Sequence, residues 1–228
     1  MPRFQFSTLS PRIAERFTID LRSLALFRVA LATVLIGELS LRFLDIGAFY
    51  TDLGLLPRDL LIQTDGTWRL SLFLASGHAL WSWLLIAVAW LAAVAMWFGW
   101  RTRAAVLVLF VVIGSLQGRN PLLLIGGDML IMCLLFWSLF LPLAARWSVD
   151  AAVARTPPPA ENRYCSFASA GLLIQVVSVY FFSAVLKSGH DWWPDGTAVY
   201  YALELQRYAT PLGRWLQQFD LLTQGLTW

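Results

Sequence analysis

Charge is scarce in this chain of 228 residues: 14% are Asp, Glu, Lys or Arg, against roughly 25% in an average soluble domain. Lysine is scarcer still, with Lys187 alone among sixteen arginines. Two cysteines, Cys133 and Cys165, cannot build a disulfide framework, and with two histidines they offer no metal-ligand spacing. Both are read as free thiols. The formal net charge of +3 comes from cations scattered between apolar runs, which excludes a nucleic-acid-binding domain. No internal repeat is visible, and no small-residue cleavage site follows the first apolar run, which is too long for a secretory signal.

What remains is apolar. Hydrophobic residues make up 58% of the chain, mean hydropathy is +0.64, and there are twelve tryptophans. Trp favours the two membrane–water interfaces. This excludes a disordered chain and points to an all-α membrane protein, a polytopic helical bundle.

A spanning helix needs about 20 mostly apolar residues. Five segments approach that: Leu24 to Leu44, Ala79 to Trp97, Ala104 to Leu116, Leu122 to Leu143, and Phe167 to Leu186. The turn Gly118-Arg119-Asn120-Pro121 closes the short third run against the fourth. In lipid the backbone must satisfy its own hydrogen bonds, so the runs are read as helices. About five transmembrane helices are therefore expected.

Charge asymmetry sets a direction. Arg3, Arg12, Arg16 and Arg22 precede the first run, Arg101 and Arg103 follow the second, and Arg146, Arg155 and Arg163 surround the stiff Pro157-Pro158-Pro159 stretch. Asp45, Asp52, Asp59 and Asp65, then Asp191, Asp195, Glu204 and Asp220, fall on the other side. The N-terminus is expected in the cytoplasm and the C-terminus outside. Arg over Lys, with much Ala and Leu, points to a GC-rich bacterial genome and a plasma membrane. Leu55 to Leu74 and Thr197 to Phe219 are too polar to span and are expected as outer interfacial helices. Trp192, Trp193, Tyr200, Tyr201 and Tyr208 fit an interfacial aromatic belt.

Ionisable groups inside spans are costly and usually face a cavity or a partner. Glu38 and Arg42 stand four apart on the first helix, the acid first, as a helical pair prefers. Asp128 follows Gly126-Gly127 at the start of the fourth run, and Lys187 closes the fifth, followed by His190 and Asp191. Topology places Glu38, Arg42, Asp128, Lys187 and Asp191 at one depth, in the outer half of the bundle. Each also has a structural reading: Arg42 or Lys187 snorkelling, Glu38 with Arg42 as a register-holding pair, Asp128 as a helix cap. Arg28, in the inner half, would snorkel or pair with a carbonyl. His78 and His190 are read as interfacial.

Three sets of strings resemble the HTTM family, the membrane domain shared with vitamin K-dependent γ-glutamyl carboxylases. The first is Phe27-Arg28 leading to Phe49-Tyr50-Thr51-Asp52-Leu53-Gly54-Leu55-Leu56-Pro57. The second is Arg119-Asn120-Pro121 with Gly126-Gly127-Asp128, then Phe140-Leu141-Pro142 and Trp147-Ser148-Val149-Asp150. The third is Tyr180 through Lys187, Asp191-Trp192 and Gly196 through Leu203. The resemblance covers nearly the whole chain and implies one domain over residues 1–228, shortened or truncated at its C-terminus.

It further implies a lysine base that deprotonates a hydroquinone, and Lys187, five residues before Trp192, matches it. Desolvation is what lets an amine serve as a base. The family's histidine near the fourth-helix block is replaced here by Gly127 beside Asp128, and the large lumenal substrate domain is missing. Three functions follow from this reading. One is a membrane protein whose outer polar pocket binds a small lipid-like or quinone-like molecule through Glu38, Arg42, Asp191 and Trp192. Another is a γ-carboxylase-like enzyme with Lys187 as base and Asp128 assisting. The last is a non-catalytic scaffold or transport component. The lipid bilayer is the partner in all three.

Overall fold

A computed structural model of the chain describes residues 15–65, 70–154, 161–205 and 210–227. Arg3, Arg12, Arg69, Arg155, Pro157 to Pro159 and Tyr208 lie outside the described residues. The chain divides into two compact units, Met1–Leu173 and Ile174–Trp228.

The first unit opens with β1 (Thr18–Asp20) and α1 (Leu21–Leu44), then α2 (Ile46–Phe49), α3 (Arg58–Asp65) and a 3-10 turn at Leu72–Leu74. There follow α4 (Ala79–Phe98), α5 (Thr102–Arg119), a second 3-10 turn at Pro121–Leu123, α6 (Gly126–Ser138), α7 (Val149–Val153) and β2 (Arg163–Cys165). Then α8 (Phe167–Val185) begins. The four helices α1, α4, α5 and α8 are long and apolar enough to cross a membrane. The chain is thus an all-α membrane protein.

Each start and stop has a local cause. Asp20 caps α1, its Oδ1 accepting the Arg22 backbone N–H at 2.7 Å. Helix α4 ends at Gly99, whose φ of +71° is open to glycine. The Gly99 N–H bonds the Met96 carbonyl and the Trp100 N–H reaches the Ala95 carbonyl, which satisfies two terminal acceptors.

Helices pack as antiparallel neighbours, α1 on α4, α4 on α5 and α5 on α6. Small residues make the α1–α4 approach close: Ala25, Ala32, Ala89 and Ala93 are all fully buried. Two hydrogen bonds pin the register, from Trp90 Nε1 to Ser40 Oγ (3.0 Å) and from Trp97 Nε1 to Thr33 Oγ1 (3.2 Å). The core runs along this seam through Leu24, Leu35, Leu39, Ile86, Met96 and Leu109. The outward faces are apolar too, with Leu26, Val34, Leu41, Leu84 and Leu91 exposed. A water-soluble helix places polar residues there; a lipid-facing one does not.

Two expectations need correcting. The third run extends to a full span, Thr102–Arg119, instead of stopping at Leu116. The fourth yields only the 13-residue α6. Asn120 and Pro121 set a 3-10 turn first, two glycines delay the helix, and Pro142 biases Leu141 away from helical geometry. One pairing was not anticipated: β1 and β2 run antiparallel, Thr18 opposite Cys165 and Asp20 opposite Arg163. Three residues per strand leave no periodicity to read.

The second unit holds the C-terminal part of α8, then α9 (Ala198–Glu204), α10 (Pro211–Leu216) and α11 (Asp220–Thr227). Helix α9 packs on α10 and α11. The Val199 N–H donates to Thr227 Oγ1 at 3.2 Å, and Gln217 Nε2 donates to the Tyr200 carbonyl at 3.2 Å. Within α8, Val177, Tyr180, Phe181, Phe182 and Val185 are all exposed.

Candidate functional site: a shared guanidinium near the end of the first helix

Arg42, in the last turn of α1, is held by three groups through four hydrogen bonds. Its Nε and Nη2 both donate to Glu38 Oε1, one turn back on the same helix. Its Nη2 also donates to Asp128 Oδ1 of α6 at 2.8 Å, and its Nη1 donates to the Tyr50 hydroxyl at 2.5 Å. The Arg42 side chain is 19% exposed, Glu38 26% and Asp128 6%. One guanidinium therefore serves two carboxylates, and the group carries one negative charge in excess.

Neighbouring elements fix each member. Asp128 Oδ2 accepts the Ile125 N–H at 2.9 Å, so this carboxylate caps α6 while pairing with Arg42. Gln117 Nε2 of α5 donates to the Asp128 carbonyl at 2.9 Å. Ser82 Oγ of α4 donates to the Tyr50 carbonyl at 2.9 Å. Burial pushes the Tyr50 phenol above its usual range, against the pull of Arg42, and keeps it a neutral donor and acceptor. Among the described residues, no donor is bonded to Glu38 Oε2. The group thus presents one open carboxylate oxygen on a partly exposed side chain.

A second charged group steadies the same end of the bundle. Asp52 accepts from Arg58 Nε at 2.9 Å and from the Arg58 backbone N–H at 3.2 Å. Arg119, fully buried at the end of α5, donates to the carbonyls of Leu56 (2.8 Å) and Thr51 (3.1 Å) and lies 3.7 Å from Asp52. Asn120 Nδ2 donates to the Phe49 carbonyl at 3.1 Å. The loop Tyr50–Pro57 and the turn Arg119–Asn120, two strings singled out in the sequence, are bonded to each other.

Of the residues picked from sequence, Glu38, Arg42 and Asp128 are brought together. Lys187, Asp191 and Trp192 belong to the second unit. There the exposed Lys187 ammonium stands 4.6 Å from the centre of the Trp192 ring. The Asp191 carbonyl accepts the Ala198 N–H at 2.9 Å, and its carboxylate accepts the Thr197 hydroxyl at 3.4 Å. Sequence reasoning missed Tyr50, Gln117 and Ser82. Tyr50 carried a signal, standing in the Phe49-Tyr50-Thr51-Asp52 string, but eight residues of continuous helix would hold it about 12 Å from Arg42 along the axis. Arg28 is buried, its Nη2 donating to the Trp147 carbonyl at 2.6 Å as the carbonyl reading expected. Cys133 is a free thiol, and Cys165, opposite Thr18 in the β1–β2 pair, is in no disulfide among the described residues. Among the described residues, no three His, Cys, Asp or Glu side chains gather as metal ligands.

No protein-family model matches the chain, and no curated protein or solved structure matches it, so the geometry of the residues themselves carries the argument about function.

Proposed function

We propose that this chain is an integral membrane protein of the HTTM and carboxylase-like kind, and that the Glu38–Arg42–Asp128 group binds a small lipid-like molecule. The observation that carries the reading is the open Oε2 of Glu38 beside a guanidinium whose three nitrogens all already donate within the protein. Intramembrane charge is expensive, and its usual justification is a ligand or a partner. Arg42 accounts for part of that charge; the excess carboxylate oxygen is left for a donor.

The ligand chemistry follows from the donor deficit. A headgroup with a hydroxyl, such as a hydroquinone, donates to Glu38 Oε2 while its apolar part lies along the exposed apolar face of α1. In this reading the α1 C-terminal end faces outward and the N-terminus is cytoplasmic, in a bacterial plasma membrane. The carboxylase-like alternative, with Lys187 as base and Asp128 assisting, needs a water-poor pocket around the amine. The exposed position of Lys187 over Trp192 favours the binding reading.

The test is photolabelling of the full chain in lipid nanodiscs with a diazirine-bearing quinone analogue, in reduced and oxidised forms. The reduced form is expected to label α1, with labelling lost in Glu38→Gln while thermal stability stays near wild type. Equal labelling of wild type and Glu38→Gln overturns the reading. Loss of stability with no labelling in the wild type identifies a scaffold.

A further inference from the structure

The opposite end of the bundle holds a second arrangement, independent of the Glu38 group. Helix α4 turns into α5 through Gly99, Trp100 and Arg101, and Arg101 has a φ of +44°, in the left-handed region. Asp150 of α7 closes this turn. Its Oδ1 accepts the Arg101 N–H at 2.8 Å, and its Oδ2 accepts both the N–H and the hydroxyl of Thr102 at 2.9 Å. The Arg101 cap amide and the first amide of α5 are therefore already satisfied by the protein's own carboxylate.

Beside this turn, between the start of α5 and the segment that follows α6, lies a cavity of about 400 Å³. Among the described residues, its charged lining is Arg101, Arg103 and Asp150, and its apolar floor includes Leu141 and Leu143, both buried. Arg101 and Arg103 are exposed. Both oxygens of Asp150 are committed to the turn, and the buried Arg28 adds a further positive charge close enough to act on Asp150. Among the described residues, Arg28 Nε and Nη1 have no hydrogen-bond partner. Among the described lining residues, two arginines stand against one aspartate, while Leu141 and Leu143 make the floor hydrocarbon.

Two guanidinium forks over an apolar floor match one chemistry. A phosphate group offers several oxygens to planar, bidentate donors, which Arg supplies and Lys does not. The volume falls at the lower end of ligand cavities, which run about 300–1,000 Å³. It suits a headgroup with its first carbons. The cavity also lies at the end of the apolar helices, where phospholipid headgroups sit.

We propose that this cavity is a phosphate-binding site, with Arg101 and Arg103 holding the phosphate and the Leu141–Leu143 floor taking the carbons attached to it. The phosphate comes either from an anionic phospholipid or from a free phosphate.

The test titrates the full-length protein in detergent with dihexanoyl-phosphatidylglycerol, dihexanoyl-phosphatidylcholine and inorganic phosphate at constant ionic strength, reading the thermal unfolding midpoint. Phosphatidylglycerol is expected to raise the midpoint saturably. The double variant Arg101→Gln/Arg103→Gln is expected to need roughly tenfold or more lipid for the same rise. Arg22→Gln, an exposed arginine at the same end, leaves the curve unchanged. Ala144→Phe, which fills the cavity without altering charge, also abolishes the rise and covers the case in which the double variant does not fold. Inorganic phosphate acting as strongly as the lipid assigns the site to free phosphate. A rise with phosphatidylcholine equal to that with phosphatidylglycerol, or one unchanged in both cavity variants, overturns the proposal.

Discussion

Arg42 Nη2 and Asp128 Oδ1 stand 2.8 Å apart across 86 residues of chain, and this pair ties the last turn of α1 to the first turn of α6. Because Asp128 is at once the cap of α6 and the partner of Arg42, losing either residue disturbs both helices.

Arg42→Met is expected to destabilise the protein by about 3–5 kcal/mol, since it leaves two partly buried carboxylates and the Tyr50 hydroxyl without their donor. Adding Glu38→Gln to that variant restores part of the loss by removing an unpaired charge. Reversible unfolding of the detergent-solubilised protein measures both, and strict additivity of the two changes contradicts the coupling.

Asp52 lies outside the spanning helices, and its hydrogen bond from Arg58 holds its carboxyl below the usual carboxylate range. A depressed folded-state value contributes stability that is complete above the unfolded value near 4 and is lost as pH falls through the folded value. The Asp52 side chain is 35% exposed, so solvent screening limits the effect to about 1 kcal/mol or less. Between about pH 5 and pH 2, Asp52→Asn should show a shallower fall in unfolding midpoint than wild type. Identical acid limbs count against this role.

Gly99→Ala is expected to cost about 1–3 kcal/mol for two separate reasons. The φ of +71° strains any side chain, and the new methyl meets the buried Arg28 guanidinium. Asp150→Ala, at the other side of the same turn, uncaps α5 and should cost about 0.5–2 kcal/mol. Thermal unfolding ranks the two, and a neutral Gly99→Ala contradicts the close approach of Arg28.

Trp90→Phe removes the hydrogen bond to Ser40 while keeping most of the ring. Interhelical hydrogen bonds in membranes average about 0.6 kcal/mol, so a loss of that order is expected. Trp97→Phe, seven residues further on and bonded to Thr33, should behave alike. A combined loss far above the sum would indicate that the α1–α4 register itself has slipped.

Much of the bundle was legible because the bilayer imposes a long apolar run on each span. Ala79 to Trp97 and Phe167 to Leu186 match α4 and α8 almost to the residue. Glu38 with Arg42 was legible because helical spacing puts the pair on one face. Their union with Asp128 was legible only as a shared depth, since lateral neighbours depend on how α1, α5 and α6 pack. Tyr50 was not legible as a member, because a non-helical turn carries it back to Arg42. Arg101 and Arg103 read as orientation signals alone, since the cavity beside them is made by Leu141 to Ala145, a segment that looked like the end of a span.

The short β1–β2 pair has a consequence for biosynthesis. Thr18 pairs with Cys165, so α1, α4 and α5 must all be synthesised before the strand that precedes them can pair with β2. During translation β1 therefore stays without this pairing until β2, which immediately precedes the last long helix, has left the ribosome.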